Sequence, residues 1–144
     1  MNESHSLPSA EGVITKASPF SVAMTVARLE AIIGNHRLTL FAHIDHGGAA
    51  RSVGLSMNET HVLIFGSPQA GTPLMVASPL LALELPLRAL IWQGDDGQVW
   101  VSSTCAAYLQ CRFAIPPELT GNIASAERLI EQALETRNTV QTEG

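Results

Sequence analysis

The chain has 144 residues, 46% of them apolar and 15% charged, with a formal net charge of −5. That length suits one domain able to bury roughly 68–70% of its unfolded surface without disulfides or a metal, and the composition excludes intrinsic disorder. The eight Lys and Arg fall singly and form no stripe that could neutralise a phosphate backbone, so no nucleic acid partner is expected.

The opening MNESHSLPSAEG has neither a basic start nor an apolar core and does not read as a signal peptide. Residues 1–11 are expected to be a flexible tail, 12–137 a single domain, and 138–144 a second tail. The longest apolar-rich stretch, 72–85, is interrupted by Pro73, Pro79 and Glu84 and is too short to span a bilayer. The expected compartment is therefore the cytoplasm, with no membrane partner and with Cys105 and Cys111 as free thiols. The low charged fraction points to a self-association surface, and a homo-oligomer is expected.

In chain order, a first strand over 13–17 stops at Ser18-Pro19, with Ser18 as helix N-cap and Pro19 as the first helical residue. The helix that follows buries Val22, Val26, Leu29 and Ile33, and Gly34-Asn35 supplies its left-handed stop. Over 38–45, Leu38, Leu40, Ala42 and Ile44 alternate with Thr39, Phe41, His43 and Asp45, a period-two strand whose apolar row His46 continues. Gly47-Gly48 breaks that strand, 49–55 has room for one or two helical turns, and Asn58-Glu59 turns into an apolar strand over 60–65 that reads as central.

The breaker cluster at 66–71 leads into a short helix with Thr72 as cap and Pro73 first, ended or kinked by Ser78-Pro79. Strands over 86–93 and 98–103 join through Gly94-Asp95-Asp96-Gly97, a hairpin signal. A short helix over 106–111 and an amphipathic one over 123–137, with Ile123, Ile130 and Leu134 inward, complete the chain. All five strands are expected in one sheet. The fold class is α+β, in two layers, with a largely antiparallel sheet and helices packed on one face.

The blocks GVITKASPFSVAMTVARLEAII, LTLFAHIDH, HVLIFGSPQAGTPLM and LPLRALIWQGDDGQVWVSS, in this order over 12–109, resemble the domain of unknown function 302 family of bacteria and archaea. The resemblance implies a two-layer α+β fold with a TATA-binding-protein-like topology, a likeness of shape that carries no DNA function. The family has no established catalytic residues, so the resemblance assigns none. The chain departs from the family pattern at Ser103 to Leu109, where an Asn-Asp pair is missing, and at Gln69, where a basic residue is usual.

His43 and Asp45, two apart on a strand, project from one face, where they could share a proton or, with His61 from a neighbouring strand, bind a divalent metal. His46 points to the opposite face of a regular strand. The plainer reading has Asp45 capping the Gly47-Gly48 turn, and no metal is expected. The loop 66–72 leads from a strand into a helix start whose free amides suit a small anion, although it lacks the Lys-Ser/Thr ending of a phosphate-binding loop. Cys105 and Cys111 are read as structural thiols, and Trp92 and Trp100 as core or dimer-face residues.

If the strand ends at His46 and Gly66 lie on one rim, Asp45, His46, Ser67, Gly71 and Thr72 line a shared ligand pocket. The expected function is therefore a small-molecule-binding domain acting as a homodimer. The alternatives are an enzyme using Asp45 with His43 or His46, and a protein-interaction module. No residue pattern identifies a cofactor.

Overall fold

In the computed structural model, which describes residues 7–136, alternation along three strands decides which side of the sheet is covered. Strands β1 (Val13–Ser18), β2 (Thr39–Asp45), β3 (Thr60–Gly66), β4 (Leu87–Gln93) and β5 (Val99–Thr104) form one sheet in the order β1-β5-β4-β3-β2, and every neighbouring pair is antiparallel. Leu63 and Phe65 on β3, Ala89 and Ile91 on β4, and Val99 and Val101 on β5 are all buried. Two-residue spacing places each pair on one face.

Helix α1 (Val22–Asn35) lays Val22, Val26, Leu29 and Ile33 on that face, and α5 (Gly121–Ala133) adds Ile130 and Ala133. Arg28 fastens the two helices together. Its Nε donates to the Ala133 carbonyl at 2.7 Å and its Nη2 to that of Glu135 at 2.9 Å, supplying donors to carbonyls that a helix end leaves unpaired.

Helices α2 (His46–Ser52), α3 (Pro68–Ala77) and α4 (Ala106–Phe113) complete the set, with 3-10 turns at Pro79–Glu84 and Pro117–Leu119. Leu74, Leu81, Ala106, Leu109, Ile115 and Ile123 form a second apolar cluster joining α3, the first 3-10 turn, α4 and α5. The opposite sheet face carries Val62, Ile64, Leu90, Trp92 and Trp100, none of them in either helix-packed cluster. The two indole rings lie 6.2 Å apart and nearly parallel, and Trp92 Nε1 donates to Ser102 Oγ at 2.9 Å.

The expected sheet and helix layer are present, and several boundaries move. Ser21, not Ser18, caps α1, accepting from the Met24 amide; Ser18 is buried and its hydroxyl pairs with that of Thr25 at 2.7 Å. The left-handed residue after α1 is Arg37, at φ 61°, not Gly34 or Asn35. A bulge between Leu40 and Ala42 interrupts the alternation of β2. β3 is next to the edge and β4 is central, because β2 pairs outside β3. α3 starts five residues early, with Ser67 as cap and Pro68 first, so that Pro73 lies inside it. Of the expected tails, 1–6 and 138–144 lie outside the described residues, as does residue 137 at the end of the expected domain.

Candidate functional site

The register of β2 on β3 separates the residues expected to share a pocket. Asp45 pairs with His61 at one end of the ladder, while Thr39 pairs with Gly66 at the other. Five residue steps of extended chain separate His61 from Gly66, about 17 Å at roughly 3.4 Å per residue. Asp45 and His46 therefore stand at one end of the sheet, and Ser67, Gly71 and Thr72 at the other. The expected single cleft is two places.

At the Gly66 end a cavity of about 250 Å³ opens between the sheet, α3 and α5, and Ser67, Gly71 and Thr72 line it. Its walls are mostly apolar: Phe41, Phe65, Leu74, Met75, Leu87 and Leu129. The free helix-start amides expected at Gly71-Thr72 are absent, because α3 has already begun. The Gly71 amide donates to the Ser67 carbonyl at 2.8 Å, that of Ala70 to the same carbonyl at 3.1 Å, and that of Gln69 to Ser67 Oγ at 3.2 Å. Asn122 and Ser125 are further polar lining residues, and Asn122 Nδ2 donates to the Ala70 carbonyl at 2.9 Å. With the turn's backbone amides and Asn122 Nδ2 engaged, the cavity offers chiefly apolar contact. Gly71 lines it from α3, and a Cβ there would make only ordinary contacts with Leu85 and Met75, both at 3.7 Å.

At the other end the cross-strand neighbours converge. His43 Nε2 and His61 Nδ1 are 2.9 Å apart, and His43 Nδ1 lies 3.4 Å from Glu30 Oε2 on α1. His61 Nε2 is 2.8 Å from Glu59 Oε1 and 3.9 Å from Asp45 Oδ1. Asp45 also caps α2, its Oδ1 accepting from the Gly48 amide at 2.8 Å. That hydrogen bond first, then the charges of His61, Arg51 and His43, holds the Asp45 carboxyl below its usual range against a smaller opposing effect of desolvation. The cap therefore supports α2 above the unfolded-chain value and is lost as pH falls through the lowered one. His46, the exposed first residue of α2, takes no part in these contacts.

Sequence reasoning brought His43, Asp45 and His61 to one face and missed Glu59 and Glu30. Glu59 was within reach, because Glu59-x-His61, running into β3, repeats the two-residue spacing of His43-x-Asp45 on β2. Phe41 and Asn122 of the cavity carried no signal. Phe41 lies at the bulged step of β2, and Asn122 reaches the cavity from a helix distant in sequence.

The model of the family described as "Domain of unknown function DUF302" matches residues 14–136. A crystal structure of an uncharacterized conserved protein of that family from Bacillus stearothermophilus superposes with a TM-score of 0.72, covering 87% of this chain and 97% of that one at 17% identity. Proteins of Brucella suis biovar 1 and Brucella abortus biovar 1, both named fluoride-specific ion channel FluC 1, are 38% identical over 104 residues, which is 72% of this chain and 41% and 38% of theirs. Among the described residues no helix is long and apolar enough to cross a membrane.

Proposed function

We propose that this chain, which belongs to the DUF302 family, is a binding domain for a small, largely apolar molecule held in the cavity between the sheet, α3 and α5. One observation carries the reading. A cavity of about 250 Å³ with apolar walls lies beside a helical glycine that leaves it unfilled. Sites for drug-sized ligands run roughly 300–1,000 Å³, so the occupant is smaller than those, with Ser67, Thr72 and Asn122 available to orient a single polar group. The channel activity in the relatives' names belongs to proteins of which this chain matches only 41% and 38%, and the reading takes nothing from it.

A melting series with 1-octanol, octanoate and indole tests it. At least one probe should raise the melting temperature in a concentration-dependent way, by the equivalent of about 2.7 kcal/mol at a hundredfold excess over its Kd. Gly71→Leu should stay folded and lose that shift. No shift with any probe, or one unchanged in Gly71→Leu, rejects the cavity as the binding place.

The same reading includes a second copy of the chain on the open sheet face. Val62, Ile64, Leu90, Trp92 and Trp100 make that face apolar, and Arg88, on the same row of β4, is paired with Glu84 at 3.2 Å. Two such faces meet without an uncompensated like charge, as a two-fold interface requires. Sedimentation should give a dimer for the wild type and a folded monomer for Ile64→Asp; a monomeric wild type removes this part of the reading.

A further inference from the structure

We propose that Asp45, Glu59 and His61 form a site for a divalent first-row transition-metal ion, zinc fitting best, with His43 and Glu30 as positioning residues. One ligand atom from each of the three lies within 4.8 Å of the other two. Ligands at roughly 2.0–2.2 Å from a zinc ion stand 3–4 Å apart, so small side-chain rotations bring all three to one centre.

Two carboxylates converge on a single imidazole nitrogen, which has one proton to offer. Glu59 takes it at 2.8 Å, and Asp45, at 3.9 Å, is left with no hydrogen bond from the ring. Asp45 Oδ1 accepts from the Gly48 amide instead, so two like charges stand close together over one ring nitrogen, an arrangement that a cation relieves. Nε2 of His61 then turns its lone pair to the ion.

The far side of the ring is built for that state. A metal-bound His61 carries its proton on Nδ1, where His43 Nε2, 2.9 Å away, accepts it. His43 then carries its own proton on Nδ1, facing Glu30 Oε2 at 3.4 Å. This carboxylate–imidazole–imidazole line runs from α1 across two strands and fixes tautomer and ring orientation, as the outer partners of metal-ligating histidines do. His61 is well covered, its side chain 12% exposed, whereas Asp45 and Glu59 are 44% and 46% exposed. One covered imidazole and two solvent-facing carboxylates leave a position open to water or a substrate oxygen. A Lewis-acid centre of this kind is independent of the apolar cavity at the other end of the sheet.

The test uses the full chain stripped with EDTA and titrated with Co²⁺, followed by its visible ligand-field absorption, then challenged with Zn²⁺. One equivalent of Co²⁺ should produce saturable bands that Zn²⁺ abolishes. His61→Gln should remove them, and Glu59→Gln, at an exposed position, should weaken or remove them with the circular dichroism unchanged. His43→Phe should keep one-to-one stoichiometry and lose 10–100-fold in affinity, a change that a purely packing role for His43 would not produce. The absence of saturable one-to-one binding, or binding undiminished in both His61→Gln and Glu59→Gln, overturns the proposal.

Discussion

Gly12 illustrates how a single missing side chain couples two distant parts of the chain. It sits at φ +80°, and a Cβ built on it would meet the Tyr108 ring at 2.5 Å. Its carbonyl accepts from the Cys105 amide at 2.7 Å, so the backbone ahead of β1 is laid against the ring at the start of α4. Gly12→Ala adds both a left-handed backbone cost and an overpacked contact, together roughly 1–3 kcal/mol, to be read as a lower midpoint in urea denaturation. In a Tyr108→Ala background most of the overpacking part should vanish. An equal cost in both backgrounds would place the whole effect in the backbone.

At the scale of elements, five strands in one antiparallel sheet were legible because period-two runs and turn residues agree along the chain. Helix starts were less so, because the same signal occurs twice. The expected starts of α1 and α3, at Ser18-Pro19 and Thr72-Pro73, stand near Ser21 and Ser67-Pro68, residues of the same types that take those places in the structure. Tertiary partners decide: the hydroxyl of Thr25 claims Ser18, and an early start for α3 carries Leu74 into the second apolar cluster. Ser21→Ala should accordingly cost about 1 kcal/mol, within a range of roughly 0.5–2, measurable by chemical denaturation; no cost would return the cap to Ser18. The joint pocket failed for a reason already contained in the expected sheet. Consecutive antiparallel strands put their C-terminal ends at opposite edges, so His46 and Gly66 could share no rim. What parity does resolve, the common face of His43, Asp45 and His61, the structure retains. The bulge between Leu40 and Ala42 depends on pairing that no local run displays.

For the whole molecule, strand order has a consequence for how the chain reaches its fold. β2, β3, β4 and β5 follow one another in sequence and in space, so each pairing closes over a short connection. β1 alone is out of turn: its ladder to β5 runs from Val13↔Thr104 to Ser18↔Val99, and among the described residues it has no other neighbour in the sheet. Closing so long a loop carries an entropic cost before any contact compensates for it. During synthesis the first strand to emerge therefore waits for the last, and its row of backbone donors and acceptors goes unpaired by the sheet until β5 has been made.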